Sequence, residues 1–200
     1  DTPVQELHLV SAYFVPGAKG AAFFVASAKR GIRVAILTNS LEATDVPIVH
    51  AGYAKWRKRL VKAGIRLFEM KRAFAPSNPP RGKSHGPAGS SSASLHAKTF
   101  AIDRSRVFIG SFNFDPRSAR LNTEMGFIID SPALATAIAD TFTTNVPARS
   151  YRVQLSDSGS LRWIEQAGGN EITHNAEPGA TLWRRLTLIV LSKLPVEWLL

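Results

Sequence analysis

The sequence predicts an α/β domain, on three observations. Leu7 to Phe14, a helical pattern over about Ala18 to Arg30 and the strand-like Arg33 to Thr38 form a strand, helix, strand unit, and Pro47 to Ala63 followed by Ile65 to Met70 extends it. Units of this kind imply a parallel sheet with right-handed crossovers. Arg33 to Thr38 is also too uniformly apolar to keep one face in water, as expected of a strand covered on both sides. Finally, 200 residues with 44% hydrophobic content suffice for one core, or for one domain with an appendage.

Pro16-Gly17 ends the first strand. The helix after it should turn Ala22, Phe23, Val25 and Ala26 inward and stop at Gly31. Asn39 to Val46 is a polar turn, and Pro47 opens a helix with Val49, Tyr53, Trp56 and Leu60 at helical spacing and Gly64 as its stop. The other face of that helix carries Lys55, Arg57, Lys58, Arg59 and Lys62, which read as a solvated face or as a contact for an anionic membrane or nucleic acid. After Met70, Lys71 to Ser94 is a long irregular loop rich in proline, glycine and serine. Loops of that length inside a domain tend to be functional, and a substrate-gating role is expected. Arg81-Gly82-Lys83-Ser84 within it is no P-loop, because Ser77 holds the first glycine position and the flanking strand and helix are missing.

Ala97 to Ile102 and Arg106 to Ser111 are two strands joined by a tight Asp103-Arg104-Ser105 turn. Thr123 to Ile129 is another strand, and Ser131-Pro132 caps a helix through about Thr143. The last fifty residues change character. Tyr151 to Leu155, Leu161 to Gln166 and Glu171 to His174 read as short antiparallel strands, and Leu182 to Leu200 as an apolar helix interrupted by Lys193, Pro195 and Glu197. That stretch is too short to span a bilayer; it covers the core or lies at a membrane interface. The boundaries expected are 1–148 for the main domain and 149–200 for a C-terminal extension.

The net charge is +10, from 25 Lys and Arg against 15 Asp and Glu, which favours anionic partners unless it only reflects an Arg-rich composition. There is no cysteine, hence no disulfide framework and no thiolate metal site. The histidines show no zinc-type spacing, so neither a metal nor another cofactor is expected. The start at Asp1-Thr2-Pro3, without a leader pattern, reads as a piece cut from a longer protein.

The chemistry gathers in His96-Ala97-Lys98 and the run through Asp103 to Gly110-Ser111-Phe112-Asn113. Alternation along a strand puts His96 and Lys98 on one face. An imidazole beside an ammonium suits a phosphodiester: the first attacks or protonates, and the second balances charge on the non-bridging oxygens. Ser111 and Asn113 add hydroxyl and amide donors. His8 is expected to be a satisfied core or edge residue.

The pattern His96-x-Lys98-x4-Asp103-x6-Gly110-Ser111-x-Asn113 resembles the signature of the phospholipase D superfamily. Ser11 to Pro16, Leu37 to Leu41, Ala43 to Pro47, His50 to Tyr53, Arg117 to Glu124 and Leu194 to Leu200 are similar to the second half of bacterial cardiolipin synthases. The resemblance implies an α-β-α sandwich half-domain with a mixed sheet flanked by helices. In that family two such halves meet; one histidine attacks phosphorus to give a phosphohistidine, and the other protonates the leaving alkoxide without a metal. It implies His96 as general acid, with the nucleophile in a missing N-terminal half or a second copy. Lys98 and Asn113 would hold the phosphoryl oxygens with support from Ser111, and Glu124 would orient the imidazole. Asp103 belongs to the catalytic motif, although its place at a strand end faces it away from the pocket. Tyr13, His50 and Gly110 would line the substrate site. The implied function is phosphatidyl transfer in cardiolipin synthesis, at the cytoplasmic side and peripherally on the inner membrane, with anionic phospholipid as partner. Two rival readings are a metal-independent nuclease active as a homodimer, and a fragment that only binds anionic phospholipid.

Overall fold

The computed structural model describes residues 2–72 and 95–179. Nine strands form one mixed sheet, flanked on both faces by helices. The strands are β1 (Glu6–Ser11), β2 (Arg33–Asn39), β3 (Arg66–Met70), β4 (Lys98–Ile102), β5 (Arg106–Gly110), β6 (Gly126–Asp130), β7 (Ser150–Leu155), β8 (Leu161–Ala167) and β9 (Asn170–His174). Their order is β6-β5-β4-β1-β2-β3-β7-β8-β9. The first three strands are parallel, as the two crossover units require, and every other pairing is antiparallel.

One face is covered by α1 (Gly17–Lys29) and α2 (Pro47–Lys62). Leu7, Leu9, Val34, Ile36 and Leu67 meet Phe24, Tyr53 and Leu60 there in the main core. Phe24 is fully buried, which is worth about 2–3 kcal/mol of burial. The inward face of α1 is Ala21, Phe24 and Ser27, whereas Ala22, Phe23 and Ala26 are exposed and Val25 is half-buried. The buried positions fall beside the expected ones, because an alanine-rich helix marks its apolar face weakly. The other face of the sheet is covered by α4 (Pro132–Thr144) and the short α5 (Val146–Arg149), with Phe142 set against Phe68 and His8. His8 is buried in that layer, and burial holds its pKa below the ordinary histidine value.

A fifth helix, α3 (Pro116–Arg120), follows Asp115, whose carboxylate caps it by accepting from the Ser118 amide at 2.7 Å. This short helix lies in a stretch to which the sequence reading gave no element. The strands placed in the C-terminal extension join the same sheet, with β7 pairing to β3. The long loop before His96 and the terminal apolar segment lie outside the described residues.

On α2, Arg57 does not belong to the solvated basic face. It is 2% exposed. Its Nε stands 2.9 Å from Glu69 Oε1 and its Nη2 is 2.5 Å from Glu177 Oε1, while the guanidinium lies over the rings of Tyr53 and Trp163. Glu69 is fully buried and also accepts from Tyr53 Oη at 2.8 Å and Trp163 Nε1 at 2.9 Å. A position read as part of the basic surface face is therefore the cation of an internal network, which a charge placed among apolar residues in β3 demands.

Candidate active site

The parallel strands end at one edge of the sheet, and antiparallel pairing brings the start of β4 and the end of β5 to the same edge. Ser11 pairs with Lys98, and Thr99 pairs with Ile109 just before Gly110. Ligands of open α/β sheets bind at this end. The topology thus gathers His96, Lys98, Ser111, Asn113 and Glu124 from three separate strands and their connections.

His96 is exposed immediately before β4, and Lys98 is 8% exposed. Lys98 Nζ donates to the His96 carbonyl at 2.9 Å, tying the two residues together through the backbone. Burial lowers the Lys98 pKa, while the nearby charges of Glu124 and Asp115 work the other way. An ammonium withdrawn from water in this way is a strong partner for an anion. The backbone before His96 is anchored by Asn39 at the end of β2: its Oδ1 accepts from the Leu95 amide at 3.0 Å, and its Nδ2 donates to the carbonyls of Leu95 and Ala12 at 3.1 and 3.2 Å. Asn39 was not among the expected site residues, although it lies in one of the stretches that carried the resemblance.

Ser111 Oγ donates to Glu124 Oε2 at 2.5 Å and accepts from the Met125 amide at 3.0 Å. Glu124 Oε1 accepts from Asn122 Nδ2 at 3.2 Å. The bond from Ser111, with that from Asn122, holds the Glu124 carboxyl below its ordinary range. The expectation that Glu124 orients the His96 imidazole is not met: among the described residues the His96 ring has no hydrogen-bond partner, and the carboxylate is taken by Ser111 and Asn122. Asn113 Oδ1 accepts from the Tyr13 amide at 3.4 Å, an arrangement that turns its NH2 group away as a donor.

The other expected residues separate. Tyr13 sits at the rim, where its hydroxyl donates to Asp45 at 2.9 Å and burial with that bond pushes its pKa up to about 12. Gly110 serves packing: a Cβ there would collide with the Met125 carbonyl and the ring of Phe108, so that side is closed to substrate. His50 is 3% exposed and turned into the internal network, with Nε2 at 2.7 Å from Glu177 Oε1. The cavity it lines holds about 10 Å³, room for a single water. His50, Glu69 and Glu177 place potential ligand atoms within 4.8 Å of one another, but the Arg57 guanidinium stands among them as the cation. Asp103 lies at the opposite end of β4 from Lys98, where its carboxylate accepts from the backbone amides of Val4, Gln5 and Glu6 at 2.9, 2.7 and 2.8 Å. It is not in the site.

A mixed sheet with His96, Lys98, Ser111 and Asn113 at its carboxyl edge defines a phospholipase D-type domain. The chain belongs to the family described as cardiolipin synthase, PLD-like domain, which matches residues 2–145. It is 45% identical over 199 residues to cardiolipin synthase C of Escherichia coli, covering all of this chain and 42% of that protein. The chain thus spans less than half of the length of this relative. Among solved structures it is similar to the phospholipase D family member Nuc from Salmonella typhimurium, with a TM-score of 0.55, 21% identity and coverage of 77% of this chain and 85% of that one. NucT from Helicobacter pylori gives a TM-score of 0.53 at 16% identity, covering 74% and 82%. These two likenesses establish the fold.

Proposed function

We propose that the chain is the C-terminal catalytic half of a phosphatidyltransferase that makes cardiolipin from phospholipid phosphodiesters through a phosphohistidine. The convergence of His96, Lys98, Ser111 and Asn113 at one sheet edge carries this reading. A histidine of the other half attacks phosphorus and forms the P–N bond as the P–O bond to the leaving glycerol breaks; His96 gives its proton to that alkoxide. In the second step His96 takes the proton of the acceptor hydroxyl, whose oxygen attacks phosphorus and releases the first histidine. Lys98 and the Asn113 amide hold the non-bridging oxygens as their charge builds. Dividing one displacement into two is ordinary covalent catalysis, and an imidazole with an unperturbed pKa near 6.5 serves both proton transfers.

Two features support the partners this reading needs. Lys29 and Arg30 at the end of α1 and Lys55, Lys58, Arg59 and Lys62 on α2 are exposed, and neither helix contains a carboxylate, which fits an anionic membrane surface. β6, the edge strand beside Ser111, exposes Phe127 and Ile128 at 66% and 77%, with Leu121 and Met125 nearby, an apolar edge suited to the second half or a second copy. Among the described residues no helix is long and apolar enough to cross a membrane.

The test is transfer from labelled phosphatidylglycerol in liposomes by the protein reconstituted with both motifs. Cardiolipin should form without added metal, and His96→Asn should abolish it. Full synthesis by that variant would refute the role of His96.

A further inference from the structure

A cavity of about 500 Å³ opens between the start of α1 and the segment from Phe112 to Arg120. It adjoins the site, because Phe112 and Phe114 flank Asn113 in the chain and both line it. Its floor is aromatic and fixed: the Phe114 ring packs against Phe14 and Phe24 at 5.5 and 5.1 Å between centroids. Gly20 keeps the floor open, since a Cβ there would stand 3.0 Å from the Phe114 ring. Lys19 and Arg120 stand at the rim, both exposed, and neither forms an ion pair among the described residues. Asp115 is the acid in the lining, but its carboxylate is committed to the Ser118 amide at 2.7 Å and the Ser118 hydroxyl at 3.2 Å.

Two uncommitted cations above a rigid apolar floor suit an amphiphile that carries a phosphate. When the acceptor is itself a phospholipid, two phosphates enter, and Lys98 serves the reacting one. We propose that this pocket binds the non-reacting phosphate of the acceptor lipid with its glycerol against Phe112 and Phe114, so that Lys19 and Arg120 favour a phospholipid acceptor over water or a neutral alcohol. The proposal rests on the transferase reading given above.

Lys19→Gln/Arg120→Gln tests it in the reconstituted protein supplied with phosphatidylglycerol and ethanol. The ratio of cardiolipin to phosphatidic acid plus phosphatidylethanol should fall about tenfold while total turnover holds, about 1.4 kcal/mol of acceptor discrimination. An unchanged ratio, or equal loss of all products, would overturn the proposal. A second arm reads binding to the 200-residue chain by calorimetry and does not depend on turnover. Short-chain phosphatidylglycerol should bind more tightly than inorganic phosphate or diacylglycerol, and the double variant should lose this preference while Lys98→Ala keeps it. Loss only in Lys98→Ala would place the lipid in the catalytic centre and refute the pocket. Equal affinity for inorganic phosphate would make it a free-anion site, which also refutes the proposal. If the wild-type protein transfers nothing yet the binding preference depends on Lys19 and Arg120, the transferase reading fails and the lipid-phosphate pocket stands.

Discussion

Asp103 carries the third letter of the motif yet acts on folding: it holds three consecutive amides of the entering chain at the foot of β1. Burial opposes its ionisation, but those amides outweigh it and bring the carboxyl below its reference value of 3.8. A carboxyl depressed in the folded state stabilises the protein above its unfolded pKa, and that contribution is lost as pH falls through the folded value. Asp103→Asn is therefore expected to cost about 1–2 kcal/mol in urea melts at pH 7, with the difference from wild type closing as pH falls through the depressed carboxyl pKa. Activity per folded molecule should be unchanged. A second residue-scale expectation concerns Lys98: replacing it by Ala should leave the fold intact in circular dichroism and cut transfer by a hundredfold or more, about 2.7 kcal/mol of transition-state stabilisation.

β3 and α2 carry the internal network. Arg57→Met leaves Glu69 and Glu177 buried without their cation, a loss of about 3–5 kcal/mol that urea unfolding would register. Along β5 and β6, Gly110 and Gly126 face each other beneath the Phe108 ring, which itself stacks on Phe100 at 5.1 Å. A Cβ at Gly126 would strike that ring, so Gly126→Ala should destabilise the hairpin, and Phe108→Ala in the same chain should recover part of the loss. Additive effects in that cycle would argue against the contact. The regular elements were legible from apolar runs and from Pro and Gly punctuation. The helix after Asp115 was signalled by the Asp-Pro pair but is too short to show a period. What periodicity could not reveal was the inside of the molecule. Arg57 has the same sequence neighbourhood as Lys58 and Arg59, and only the buried Glu69 from β3 and Glu177 from 120 residues away distinguish it. The burial of His50 was hidden for the same reason, since its partner Glu177 is as distant in sequence. His96, Lys98, Ser111 and Asn113 were legible because they lie in one short span with fixed spacing.

At the scale of the molecule, the carboxyl end of the sheet carries one exposed imidazole, one buried ammonium and one amide donor, and the two-step transfer proposed above calls for a second histidine. The decisive measurement is complementation. This chain and a separately produced half carrying the second His-x-Lys motif are assayed alone and mixed, on liposomes with labelled phosphatidylglycerol, with sedimentation confirming that the chain alone is monomeric. Each half alone should give no cardiolipin, the mixture should give it, and His96→Asn in this chain should abolish it. Steady turnover by the monomeric chain alone would contradict the account.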